Sequence, residues 1–213
     1  MSKLRFHLSV SLDGFVAGPG QSEENPLGVG GTDLHEWVVK LEAWRKQQGQ
    51  EGGEVNASTP VVEELQSNVG ATVMGRNMFG GGPGPWSEDN PWNGWWGDNP
   101  PYHTPVFVLT HHPREPLEME GGTTFIFVTD GIEAALEQAK QAADGRDVLL
   151  GGGANVVQQY LAAGLVDEFE LHVAPVLLGD GERLLENVGD LKLDQVRAIE
   201  APGVTHIKYR VAK

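Results

Sequence analysis

The 213-residue chain carries 15 Lys and Arg against 30 Asp and Glu, a formal charge of −15, with 29 Gly, 13 Pro and no Cys. Without cysteine there is no disulfide framework, no cysteine-ligated zinc, no iron–sulfur cluster and no thiol nucleophile, and an acidic surface repels nucleic-acid phosphates. No basic run and no window approaching 18 consecutive apolar residues occurs, so neither a nucleic-acid nor a membrane partner is expected; the expectation is a cytoplasmic protein forming a single domain over residues 1–213.

Apolar alternation in Leu4-Arg5-Phe6-His7-Leu8-Ser9-Val10 predicts a first strand, ended by turn chemistry at Asp13-Gly14. Residues 18–32 read as loop. Thr32 then caps a predicted helix from about Asp33 to Lys46, with Leu34, Trp37, Val38, Leu41 and Trp44 on one apolar stripe. A second helix is predicted from Pro60 to about Asn68, and Ala71-Thr72-Val73-Met74 is a strand cut off by Gly75-Arg76. Between residues 80 and 105, six prolines are interleaved with Trp86, Trp92, Trp95, Trp96 and Tyr102. So many aromatic rings need burial, and the segment reads as an ordered lid, a pocket wall or a subunit interface.

Beyond it, predicted strands at 106–109, 124–128, 148–150 and 168–173 are interspersed with predicted helices at 132–143 and 155–163, the pattern of a layered α/β fold with parallel pairing. After Val173 the helices stop. Leu191 to Ile199 and Val204 to Val211 alternate with period two around Ala201-Pro202-Gly203, which predicts a C-terminal antiparallel hairpin.

Three strand exits offer chemistry. Val148-Leu149-Leu150 leads through Gly151, Gly152 and Gly153 into a helix beginning at Ala154 and Asn155; free amides at a helix start, approached over glycine, suit a phosphate, and a tight turn accounts for the same residues. Arg76 is the only Lys or Arg between Lys46 and Arg114. A guanidinium leaving the carboxyl end of a strand suits bidentate phosphate recognition, whereas a salt bridge with Glu88 or Asp89 is the ordinary alternative. Thr110-His111-His112-Pro113-Arg114 follows the strand at 106–109 and offers a hydroxyl, two imidazoles and a guanidinium. The remaining histidines, His7, His35, His103, His172 and His206, show no metal-ligand spacing, and no metal site is predicted.

These exits, in this order, resemble those of the dihydrofolate reductase-like family, and particularly the reductase domain of bacterial bifunctional riboflavin biosynthesis deaminase-reductases. Ser11-Leu12-Asp13-Gly14-Phe15-Val16-Ala17 resembles the family's first turn, S-x-D-G-x-I-A, and Val73-Met74-Gly75-Arg76 its V-x-G-R element. The stretch from Leu150-Gly151-Gly152-Gly153 through Tyr160-Leu161-Ala162-Ala163-Gly164-Leu165-Val166-Asp167-Glu168 to Ala174-Pro175-Val176-Leu177-Leu178-Gly179-Asp180-Gly181 is the most specific part. The resemblance implies a three-layer α/β/α fold with a mostly parallel central sheet, and an NADPH-dependent reductase acting on a pterin- or pyrimidine-like small molecule. It implies that Gly75, Arg76, Asn77, Thr110 and His111 hold the adenosine phosphates and that Gly151, Gly152, Gly153, Ala154 and Asn155 take the pyrophosphate. Val16 and Ala17 would face the nicotinamide, Asp33 corresponds to the early helix carboxylate of dihydrofolate reductases, and a homodimer is expected. The chain lacks the H-x-E and P-C-x-x-C of a zinc deaminase half, which leaves at most the reductase half. A non-catalytic nucleotide-binding protein on the same fold is the competing reading.

Overall fold

The computed structural model describes residues 2–87, 89 and 91–212. Strand β1 (Leu4–Val10) and the short β2 (Phe15–Ala17) are followed by helices α1 (Glu36–Val39), α2 (Glu42–Gln47) and α3 (Thr59–Gln66). Strand β3 (Val69–Gly75) runs into the one-turn α4 (Arg76–Phe79), and β4 (Pro105–Leu109), β5 (Leu117–Glu118) and β6 (Thr124–Val128) precede α5 (Gly131–Ala143). The chain continues through β7 (Asp147–Gly152), α6 (Ala154–Ala162), β8 (Glu168–Val173), β9 (Glu182–Arg183) and the paired β10 (Leu193–Ala201) and β11 (Val204–Val211). This is the expected α/β class, with a large, mostly parallel sheet and a C-terminal antiparallel pair.

Two compact units make up the chain, one running to Phe6 and resuming at Asn68–Leu165, the other comprising His7–Ser67 and the residues from Val166 onward. In the first unit the strand order is β1-β7-β3-β4-β6-β5, with Leu4, Arg5 and Phe6 opposite Val148, Leu149 and Leu150. Among the described residues, only β5 pairs antiparallel there. Helix α5 buries Ala135, Leu136, Ala139 and Ala143, and Gly70 admits it closely, since a Cβ at that glycine would stand 2.5 Å from the Ala143 carbonyl oxygen. Tyr160 of α6 donates its hydroxyl to the Ile132 carbonyl at 2.7 Å and so ties α6 to the start of α5.

The second unit pairs β8, β11 and β10 antiparallel. Its sheet has an unusually polar inner face, which is stable because the charges are mutually paired. Arg197 Nη2 reaches both Glu170 oxygens at 3.1 and 2.9 Å, and Glu170 is only 3% exposed. Arg197 Nη1 and Lys208 Nζ both donate to Glu64 on α3, and Lys208 also meets Glu168 at 3.2 Å. The network pins α3 across three strands.

One continuous helix over Asp33–Lys46 does not form. A 3-10 turn (Gly31–His35), α1 and α2 replace it, and Gly30, at φ 75, precedes the first turn with no side-chain cap, so Thr32 is not the cap. The break falls at Leu41, whose backbone is extended at φ −74 and ψ 139. Here the chain pairs with a later segment: Glu42 N donates to Glu54 O and Glu54 N donates to Lys40 O, at 2.9 and 2.8 Å. Those groups serve a bridge, and a continuous helix would need them for itself.

The turn expected at Asp13-Gly14 is locked from both sides. The Asp13 carboxylate accepts from the Leu178 and Gly179 amides at 3.2 and 2.7 Å, and Arg183 donates to the Asp13 carbonyl at 3.0 Å. Ser11 Oγ accepts from Phe15 N at 2.9 Å. Hydrogen bonding from the Ser11 hydroxyl, reinforced by the Gly179 and Leu178 amides against a smaller desolvation effect, lowers the Asp13 carboxyl to about 2.

Half-buried rings of the Trp- and Pro-rich segment cover the first unit's core. Met74, Phe79, Val106, Val108 and Phe125 form a buried cluster against which Trp86, Trp92, Trp96 and Tyr102 pack. Phe79 is fully buried and meets Phe125, Phe127 and Trp86 edge-on at centroid distances of 4.9, 5.3 and 5.8 Å. The indoles also solve a hydrogen-bonding problem, because a helix of one turn leaves its last carbonyls without intrahelical partners. Trp92 Nε1 donates to Phe79 O at 2.8 Å and Trp95 Nε1 to Met78 O at 3.0 Å. Gly80 and Gly81, at φ 89 and 83, leave room for those two rings, for a Cβ at either would lie within 3 Å of an indole.

Two outcomes follow. Phe79→Ala removes the ring at the centre of the cluster and costs about 3–5 kcal/mol of unfolding free energy, measured by urea denaturation. Asp13 contributes stability that is fully present above the unfolded carboxyl pKa and is lost as pH falls through its folded value of about 2. Wild type therefore melts above Asp13→Asn near neutral pH, and the gap narrows once pH drops below about 4.

Candidate functional site

Parallel pairing in the first unit aligns three strand exits. Gly75 at the end of β3 is opposite Leu109 at the end of β4, and Met74 is opposite Gly152 at the end of β7. The loops after β7, β3 and β4 are thus neighbours along one carboxyl edge, where open α/β sheets bind ligands.

After β7, Gly152 has φ 115, the Gly152-Gly153 peptide is cis, and Gly153 stands in extended conformation before α6. A Cβ at Gly153 would meet nothing within 4 Å, so the backbone there is open to close approach. The first amide bonded to the Gly153 carbonyl is that of Val157, at 3.2 Å; those of Ala154, Asn155 and Val156 belong to the helix's unbonded first turn. The Asn155 side chain is already engaged, accepting from Gln159 Nε2 at 2.7 Å. Gly75 has no room for a side chain, because a Cβ would lie 2.7 Å from Val156 Cγ2.

After β3, the Arg76 guanidinium lies 3.1 Å above the Trp86 ring centroid and donates to the Gly80 and Gly81 carbonyls at 3.1 and 3.0 Å. Its Nη1 is buried and has no hydrogen-bond partner among the described residues. Arg114 faces the same indole at 5.0 Å. Burial first, and then the neighbouring Arg114 charge, lowers the Arg76 pKa; burial lowers that of Arg114. Asp89 forms no ion pair with Arg76, and Glu88 lies outside the described residues. Asn77 is exposed. After β4, the buried Thr110 Oγ1 accepts from His112 N at 3.2 Å within its own turn, while His111 is exposed. Trp86 Nε1 donates to His112 O at 2.9 Å, which joins the β3 and β4 exits through one indole.

In the second unit, Val16 is half-buried and Ala17 buried on β2, which pairs antiparallel with β9. A Cβ at Gly181 would lie 2.1 Å from the Ala17 carbonyl oxygen. Asp33 is exposed in the 3-10 turn, two residues before His35, which contacts Gly31 O through Nδ1 at 3.3 Å. Burial lowers the His35 pKa, with the Gly31 hydrogen bond opposing.

The same unit buries a group of side chains that the linear sequence does not announce. His172 Nδ1 and His206 Nδ1 are 2.9 Å apart, and His206 Nε2 is 2.9 Å from Ser58 Oγ. Trp37 donates Nε1 to Ser9 Oγ at 3.1 Å and packs 4.9 Å from both imidazoles. Burial, followed by the Arg197 charge, lowers His206 to about 4; burial, followed by His7, His206, His35 and Arg197, holds His172 well below the usual range. His172 and His206 are opposite one another in the β8–β11 register. The two imidazoles meet through that register between strands, which spacing along the chain does not show.

Comparison with known proteins bears on what this arrangement serves. The family model described as the RibD C-terminal domain matches residues 2–207. The uncharacterized protein YyaP of Bacillus subtilis (strain 168) is 37% identical over 87 residues, which are 39% of this chain, and the matched region spans only 45% of that relative. A Shewanella sp. PV-4 protein described as belonging to riboflavin biosynthesis shares the fold at a TM-score of 0.61 and 21% identity, with all of both chains covered. Dihydrofolate reductase from Enterococcus faecalis, solved with NADP(H), aligns at a TM-score of 0.52 and 13% identity over 99% of this chain and 97% of its own. With the family model spanning nearly the whole sequence, the chain belongs to the RibD C-terminal domain family, on the dihydrofolate reductase-like fold.

Proposed function

We propose that the protein is an NADPH-dependent reductase that delivers hydride to a pterin- or pyrimidine-like heterocycle. The observation that supports this best is the Arg76 guanidinium, desolvated against Trp86 with Nη1 lacking a partner among the described residues, at the exit of the strand beside an unobstructed glycine exit and a free helix start. A phosphate fits both features, because a guanidinium nitrogen and helix N-terminal amides are its strongest natural partners.

In this reading Gly151, Gly152, Gly153, Ala154 and Asn155 hold the pyrophosphate through backbone amides, and Gly75 serves by letting α6 begin against β3. Arg76 holds an adenosine phosphate through Nη1; Asn77, Thr110 and His111 border that group. Val16 and Ala17 face the nicotinamide, and Asp33 is the carboxylate that binds or protonates the substrate. The bound cofactor supplies the hydride, and the chain's own contribution is orientation and electrostatics. The protein acts in the cytoplasm as a homodimer in this proposal, with no metal.

Titration with NADPH is expected to quench tryptophan fluorescence and to raise the melting temperature; a ligand at 100 times its Kd adds about 2.7 kcal/mol. Absence of both effects overturns the reading. Arg76→Ala is expected to weaken NADPH by about 1.5–3 kcal/mol while leaving NADH much less affected, since a charge-assisted contact to the extra phosphate is lost. Because Arg76 also holds the Gly80 and Gly81 carbonyls, NADH is the internal control: an equal loss for both cofactors assigns the residue to the loop's structure.

A further inference from the structure

Within the second unit a chain of buried polar groups ends on an atom with no partner. Ser58, His206 and His172 are 1%, 0% and 2% exposed, and His172 Nε2 has no hydrogen-bond partner among the described residues. The direction of the chain follows from its other end. Ser58 Oγ has one hydrogen-bonding neighbour, His206 Nε2, and a buried O–H without an acceptor costs more than an oxygen lone pair without a donor. Ser58 therefore donates to His206 Nε2. His206 must then carry its hydrogen on Nδ1 and donate it to His172 Nδ1, which leaves the His172 hydrogen on Nε2. The result is a donor fixed in tautomer and rotamer, buried, and lacking an acceptor.

Aromatic side chains surround the donor. The Trp37 ring centroid lies 4.9 Å from that of His172, and the half-buried His7 ring lies 5.6 Å from it. Both imidazoles of the chain stay neutral near pH 7, so recognition there is by hydrogen bonding and does not add charge.

We propose that His172 Nε2–H is a substrate-recognition donor for a ring carbonyl oxygen or ring nitrogen of the heterocycle, with Ser58 and His206 as positioning residues that fix its tautomer. The inference rests on the reductase reading and names one atom through which that enzyme identifies its substrate. Ser58 sits at the start of α3 and Trp37 in α1, so both helices contribute to holding the donor.

The test uses the full chain with ¹⁵N-labelled histidine. Long-range ¹H–¹⁵N spectra are expected to place hydrogen on Nε2 of His172 and Nδ1 of His206, and Ser58→Ala is expected to mix the tautomers of both. Addition of 5,6-diaminouracil, which presents two ring carbonyls, is expected to shift His172 Nε2 and to leave the exposed His111 unmoved. Affinity for the same probe, measured calorimetrically with NADPH present, is expected to fall about tenfold in His172→Leu and to return to within about threefold in His172→Gln, which retains an N–H donor at similar reach. Hydrogen on His172 Nδ1, equal affinity in wild type and His172→Leu, equal losses in the Leu and Gln variants at unchanged melting temperature, or no binding of the probe overturns the proposal. If His172→Leu does not fold, the wild-type tautomer and the probe-induced shift decide. NADPH binding without a His172 response defeats this inference alone; a His172 response without NADPH binding upholds the donor and defeats the reductase reading.

Discussion

The constraint on which the candidate site most depends is the missing Cβ at Gly75. A methyl group there would stand 2.7 Å from Val156 Cγ2, a separation that packed carbon atoms do not tolerate. Only because β3 ends in glycine can the first turn of α6 lie against that strand end. With α6 so placed, its unbonded amides and the open Gly153 backbone stand beside the point at which Arg76 leaves β3. Gly70 performs the matching service at the other end of the strand, where Ala143 closes α5 onto it. One strand with glycine near each end thus positions two helices, and the helices define which edge of the sheet is available to a ligand.

What the sequence made legible is what depends on near neighbours. Strands at 124–128 and 168–173 were read to the residue, because short apolar, aromatic and β-branched runs bounded by turn residues have few alternatives. The three exits of the first unit were visible for the same reason: glycines and a solitary arginine after an apolar run are local marks. The break at Leu41 was not, since it is imposed by pairing with Glu54, thirteen positions later and outside any helical period. Arg76 was found by sequence, yet its stacking on Trp86 and its grip on two glycine carbonyls were not, because both depend on how a loop rich in proline folds back. The histidine chain required the β8–β11 register, which no periodicity within either strand reveals.

The two units settle their buried polarity differently. In the second, Glu64, Glu168, Glu170, Arg197 and Lys208 neutralise one another across α3 and three strands, and the adjacent imidazoles remain neutral through burial. Removing one member of the ionic group leaves an uncompensated charge in a desolvated place, a larger penalty than the pair's own net worth. The polar face is therefore an all-or-none assembly; within it, among the described residues, the His172 Nε2 and the Arg197 Nε stay without a hydrogen-bond partner.

In the first unit the balance is left open. Arg76 and Arg114 both face the Trp86 indole, and the Arg114 charge adds to burial in lowering the Arg76 pKa, although the chain has twice as many acidic as basic residues to offer. Cation–π contact and carbonyl acceptors offset part of the desolvation cost of a guanidinium, but neither supplies a countercharge. The overall charge of −15 thus says little about this edge of the sheet. Screening shortens the reach of distant carboxylates to about 8 Å at physiological salt, so the local field is governed by the two guanidinia and the α6 amides. An anion bound there would complete a charge balance that the side chains of the described residues leave unfinished, and the repulsion between Arg76 and Arg114 would turn into a shared attraction toward it.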